Sequence, residues 1–324
     1  MDRRAFLAGA AALALAPRAL AELSFGSDVA LVTADIESRL VAVDLVSGRI
    51  RRYVETLPKP RSIETVGGTA VVAHSELGAI TLVRGETLEV FRVLRGFGEP
   101  RYTAAHPDGR HAYVSDADRG EVVVLDVLRG RVLGRERVGH LARHISIDPS
   151  GHRLWIALGK TAKEIAIVGI ARPARPRLLG LIRPPFLAHD VGWTPDGERV
   201  WVSSGDRQEL MVYNPRTGKP LRRLAADAPP QHVSFYRGRA FVTSGDSGTL
   251  RVHRLNGQAL KTTAVPEGSY NVQQAHGWVV TPGLGRGSLC ILDASGRLLR
   301  REQVARSSHD ACIISTSARP ASPA

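Results

Sequence analysis

A chain of 324 residues, 43% hydrophobic and 23% charged, has the make-up of a folded globular protein and suffices for one large domain or two ordinary ones. Its 32 glycines and 19 prolines favour turns over long helices, and no stretch of the body approaches the roughly 18 apolar residues of a membrane span. The net charge of +13 is almost all arginine, but the arginines are dispersed without a block of like charges, so nucleic acid is not expected as a partner.

The first twenty residues read as an address. "DRRAFLAGAAALALAPRALA" opens with charge, runs Ala/Leu-rich from Phe6 to Ala16 and closes on Ala19-Leu20-Ala21, the three-part plan of an export signal cut after Ala21. Arg3-Arg4-Ala5-Phe6-Leu7 resembles the twin-arginine export motif, Ser/Thr-Arg-Arg-x-Phe-Leu-Lys, with Asp2 and Ala8 departing from it at the outer positions. The resemblance implies export of an already folded protein, sometimes folded around a cofactor. The expected organisation is a signal peptide over 1–21, one folded domain over 22–316 and a disordered Ser/Pro/Ala tail over 317–324, in a periplasmic or otherwise extracytoplasmic protein.

A unit of about forty residues then repeats. A β-run, an acidic or Asn residue, a turn with Gly and a second β-run appear as "RLVAVDLVSGRI", "EVVVLDVLRGRV", "ELMVYNPRTGKPL", "TLRVHRLNGQAL" and "SLCILDASGRLL", with turn glycines Gly48, Gly130, Gly218, Gly257 and Gly296. Gly85 fills one gap, and a proline-rich turn over 171–176 replaces the glycine in another, which makes seven units. Upstream of each turn lies a β-branched or aromatic run such as "HAYVS", "RLWIA" or "RVWVS". In three units that run follows a strand ending in Pro-Asp-Gly or Pro-Ser-Gly, where Pro presets φ and Gly accepts a positive one. Each unit is thus four short antiparallel strands. Alternation places Val122, Val124 and Asp126 on one face and Val123 and Leu125 on the other.

Seven four-stranded units predict an all-β, seven-bladed β-propeller. The two ends complete one another. The first unit, from "DVALVTADIESRL", has no opening strand, while "SSHDACIIS" near the C-terminus is an opening strand with nothing after it. Placing that last strand in the first blade closes the ring and removes two unpaired edges. "HAYVSDADRGEVVVLDVLRGRV", with Pro107-Asp108-Gly109 before it, resembles the repeat of the YVTN propeller family. That family includes exported bacterial proteins of unassigned role and is similar to the d1-haem and lactonase propellers. The resemblance therefore implies the fold and leaves the function open.

Propellers place ligands at one mouth of the channel that their innermost strands line. Alignment of those strands puts two successive polar or aromatic residues at each start: Arg61-Ser62, Arg101-Tyr102, Arg143-His144, His189-Asp190, Gln231-His232, Tyr270-Asn271 and His309-Asp310. One of each pair should face the channel and the other point away or along the rim. Of these, Arg61, Arg101, Tyr102, Arg143, His144, His189, Asp190, His232, Tyr270, Asn271, His309 and Asp310 form the expected ligand-binding mouth. Three guanidiniums on one side suit a carboxylate or phosphate. His144, His189, His232 and His309 are the candidate ligands of a transition metal, although no tight His spacing supports one.

The other motifs read as structure. "GLGRGS" (Gly283 to Ser288) and "SDADRG" (Ser115 to Gly120) are hairpin loops, and Trp155, Trp193, Trp201 and Trp278 are packing residues between blades. Cys290 and Cys312 fall on different strand types, too far apart for a disulfide, and the absence of C-x-x-C-H excludes covalent c-type haem. The leading functional expectation is a monomeric, non-catalytic propeller that binds a small ligand, a metal or an exported protein at its mouth, or is accessory to a redox system. The alternatives are a lactone hydrolase with His144 or His189 as base, a haem- or quinone-linked redox accessory, and a basic scaffold for envelope polyanions.

Overall fold

A strand that is apolar on both faces needs a layer on each side. In the Glu121–Asp126 strand, Val122 and Val124 are buried against the following blade, and Val123 and Leu125 against the preceding one. Repeated around a circle, that arrangement is a propeller. The computed structural model describes residues 28–159 and 163–316, so the expected export signal and the tail over 317–324 lie outside the described residues.

The described residues form seven four-stranded antiparallel sheets. Blade I runs Ala311–Ser315, Asp28–Ala34, Arg39–Asp44 and Ile50–Glu55 from the centre outwards. Blades II to VII start from inner strands Ser62–Val66, Pro100–Ala105, Ala142–Ile147, Ala188–Trp193, His232–Tyr236 and Gln273–Ala275, each followed outwards by three more strands in chain order. Each inner strand touches the inner strands of both neighbouring blades, which closes the ring. The C-terminal strand does complete the first blade: Val29 pairs with Ile314, Leu31 with Cys312 and Val32 with Ala311. No α-helix occurs among the described residues.

The core lies between the blades. Seven apolar clusters fill the seven interfaces, and each draws its residues from two adjacent blades. Trp155 and Trp193 fill the interface of blades IV and V, Trp201 that of V and VI, and Trp278 packs against that of VII and I. The two cysteines are both free and buried. Cys290 on blade VII faces the interface with blade VI, and Cys312 on the adjacent blade I faces that with blade II, so their side chains lie on opposite outer faces of the two sheets.

The Pro-containing turns behave as their chemistry requires. In His106-Pro107-Asp108-Gly109 the Gly109 amide donates to the His106 carbonyl at 3.0 Å with φ +66° at the glycine, and the turns ending in Gly151 and Gly197 repeat this. Both loops read as hairpins are hairpins, joining His111–Asp116 to Glu121–Asp126 and Trp278–Gly283 to Ser288–Asp293.

Candidate functional site: the channel mouth

Seven inner strands converging on an axis leave a central cavity of about 310 Å³. One residue from the start of each inner strand lines it: Ser62, Tyr102, His144, Asp190, His232, Asn271 and Asp310. These are the second members of the seven pairs. The first members, Arg61, Arg101, Arg143, His189, Gln231, Tyr270 and His309, are not among its lining residues. In blades III, IV and V the pair sits in a break of the strand register, between Pro100 and Thr103, Ala142 and Ile145, and Ala188 and Val191. Such bulges are common at sheet rims, but the second member lines the cavity also in blades II and VI, where the register is unbroken.

The two His-Asp pairs share a structural task. His189 Nδ1 lies 2.8 Å from the Gln231 carbonyl, and the Asp190 carboxylate accepts the Val233 amide at 2.7 Å. In the closing segment His309 Nδ1 lies 2.9 Å from the Arg61 carbonyl, and the Asp310 carboxylate accepts the Ile63 amide at 3.1 Å. Since a carbonyl only accepts, both Nδ1 atoms carry the proton. Each His-Asp pair thus latches its blade to the first residues of the next inner strand. Of the four histidines expected as metal ligands, the structure brings the rings of His144, His189 and His232 together, while His189 and His309 each commit Nδ1 to a backbone carbonyl.

His144 is in a different situation. It is 2% exposed, and neither ring nitrogen has a hydrogen-bond partner. Its ring stacks on Tyr102 with centroids 3.8 Å apart, and the rings of His189 and His232 lie 4.5 and 6.2 Å away. Burial first, then the neighbouring His189 and Arg143, hold its pKa well below the ordinary 6.5. His144 is therefore a neutral imidazole at pH 7. His232 Nδ1 comes within 3.1 Å of Asp190 Oδ2, outside hydrogen-bond geometry, and it too has no hydrogen-bond partner. Buried polar atoms left without partners are rare in folded proteins, and those of His144 and His232 set this part of the mouth apart.

The three arginines gather beside this ring: Arg61, Arg101 and Arg143 all act electrostatically on Tyr102 and on His309. Two have counterions, Arg101 with Glu99 at 2.7 Å and Arg61 with Asp35 at 3.6 Å. Arg143 has no carboxylate within 4.0 Å among the described residues, and its Nε is buried without a partner. Burial lowers its pKa, and the Tyr102 hydroxyl opposes this. Tyr270 is outside the cavity, with its hydroxyl on Asp246 at 3.1 Å, whereas Asn271 lines the cavity and donates to the His309 carbonyl at 2.8 Å.

Two acidic residues escaped the sequence reading. Glu64 lines the channel two residues beyond Ser62, accepts from Gln273 Nε2 at 3.1 Å, and is pushed up to about 7 by burial. Period-two counting from Ser62 would have found it. Asp35, beside Arg61, is pushed up to about 6, burial again outweighing its hydrogen bonds and the guanidinium. Asp310 is raised well above the carboxylate range by burial, and Glu64 and Asp35 add to that rise.

Seven four-stranded blades around a channel with one histidine-, carboxylate- and arginine-bearing mouth define the class: a β-propeller with a polar channel site. The profile of the PQQ_2 family, described as outer membrane protein assembly factor BamB, matches residues 134–323, more than half of the chain, and the chain belongs to that family. Two curated relatives, each called uncharacterized protein YncE, from Salmonella typhi and Salmonella typhimurium, are 26% identical over 152 residues. The match spans 41% of this chain and only 42% of the length of those relatives.

Solved structures share the fold. A functionally unknown protein from Desulfotomaculum acetoxidans superposes with a TM-score of 0.78 at 12% identity, covering 90% of this chain and 100% of that one. The hydrazine synthase of Kuenenia stuttgartiensis gives 0.65 at 15% identity over 78% of this chain and 89% of that one. Dihydro-heme d1 dehydrogenase NirN, in complex with DHE, gives 0.61 at 16% identity over 85% of this chain and 63% of that one. At such identities the likeness concerns the fold alone.

Proposed function

We propose that the protein is an exported propeller of the YVTN type that holds a small anionic ligand at its channel mouth and serves a redox system as a non-catalytic accessory. One observation carries the ligand reading: His144, buried in a cavity of about 310 Å³, has both ring nitrogens unpartnered. The anionic character follows from Arg143, which lies beside the cavity rather than in its lining, has no carboxylate within 4.0 Å among the described residues, and neighbours Arg101. A guanidinium fork matches a carboxylate or phosphate bidentately. Export is supported by the signal-like residues 1–21 and by the envelope role named in the family's description. The redox setting is supported by the names of two propellers of like shape, a hydrazine synthase and a haem d1 dehydrogenase.

Calorimetric titration with a panel of small mono- and dicarboxylates and phosphate esters tests the reading. Loss of one charge-assisted hydrogen bond at about 1.5–3 kcal/mol weakens binding roughly 10- to 100-fold, so Arg143→Ala should bind the best ligand that much less tightly than the native chain. A panel in which nothing saturates, or equal affinities in the two proteins, would overturn it.

A further inference from the structure

We infer that His144, Asp190 and His232 form a binding site for a divalent transition-metal ion with the ligand preference of zinc or cobalt. One ligand atom from each lies within 4.8 Å of the others, and the three come from consecutive blades, IV, V and VI. Two imidazoles and one carboxylate form a donor set of the kind that binds such metals. The imidazoles are available: both nitrogens of His144 and Nδ1 of His232 lack hydrogen-bond partners. The supports of the ligands are in place as well. Tyr102 stacks on His144, and the Val233 amide holds Asp190 Oδ2 at 2.7 Å.

Three protein ligands leave a tetrahedral ion one open position. All three residues line the cavity, so that position faces the space assigned to the anion, and the inference deepens the ligand reading on which it rests. A second cluster, His106, Asp108 and His111, has similar spacing but is committed to its turn. There His111 Nδ1 meets Asp108 at 2.6 Å, and His106 Nε2 lies 3.2 Å from the Gly151 carbonyl.

The test is titration of the chelator-treated full chain with Co²⁺ alone, read by its visible d–d bands and by competition with Zn²⁺. The expected result is saturable uptake of one ion, at least about 100-fold weaker in His144→Ala and in His232→Gln and unchanged in His106→Ala. His232 is less buried than His144, its side chain being 17% exposed, so the second variant keeps the test open if the first fails to fold. No saturable uptake, uptake indifferent to both substitutions, or loss in His106→Ala instead would overturn the site. Failed uptake with carboxylate binding intact removes the metal site alone, whereas Co²⁺ uptake without anion binding supports the metal and removes only the anion.

Discussion

A chain ending at Arg306 is expected not to fold, while one ending at Thr316 should unfold at the same temperature and denaturant concentration as the full chain. The longer deletion removes the innermost strand of blade I, with Ala311, Cys312, Ile313 and Ile314 all at most 4% exposed. Burial of each isoleucine alone is worth about 1.5–3 kcal/mol. It also removes the backbone pairing with Asp28–Val32, the Thr33–Asp310 contacts and the latch of Asp310 onto Ile63, leaving a raw edge at the centre of the ring. Together these losses match the whole stability of a typical domain, about 5–15 kcal/mol. Circular dichroism and denaturant melts of the two truncations check it; a cooperative transition in the shorter chain would contradict ring closure as a condition of folding.

The second large effect concerns Glu64. Its pKa in the fold, about 7, lies above its ordinary value of 4.5, so the fold favours the neutral acid. The sign follows: relative to the unfolded chain the group is not penalised below about pH 4.5, and the stabilisation of its acid form is lost as pH rises through about 7. Glu64→Gln should therefore match the native chain near pH 4.5 and exceed it above pH 7. At about 1.4 kcal/mol per pH unit, reduced by the side chain's partial exposure, the gain is about 1–3 kcal/mol. Buried neutral histidines, His74, His144, His253 and His309, lower stability in both proteins on the acid side, which is why the difference between the two is the quantity to measure. Urea unfolding of both from about pH 5 to about pH 8.5 provides it; a difference that shrinks as pH rises would refute the assignment.

The fold was legible because its signals are local and repeated. Val122 to Asp126 announce a strand buried on both faces, Pro107-Asp108-Gly109 a tight turn, and the orphan strand in "SSHDACIIS" the closure. The mouth was legible only as a level, not as a set of roles. Which of Arg143 and His144 enters the channel depends on how the inner strand is turned about the axis, and nothing in "LARHISI" marks that facing. His189-Asp190 and His309-Asp310 resemble ligand pairs in sequence, yet their partners are backbone groups of the next blade, about forty residues away in one case and across the chain ends in the other. Glu64 was hidden for the opposite reason: an acidic residue inside a short β-run looks like an exposed alternation position until the inner strand is known to face a channel.

The central claim is that the mouth divides into a binding ring around His144 and a structural latch that includes His309. Calorimetry with the best-binding carboxylate, alongside thermal melts of His144→Ala and His309→Ala, tests it most directly. The account predicts that His144→Ala stays folded and loses saturable binding. It predicts that His309→Ala keeps the binding and loses about 1–3 kcal/mol of stability as its hydrogen bond to the Arg61 carbonyl and its buried packing go. The reverse pattern, with binding intact in His144→Ala and lost in a stable His309→Ala, would contradict it.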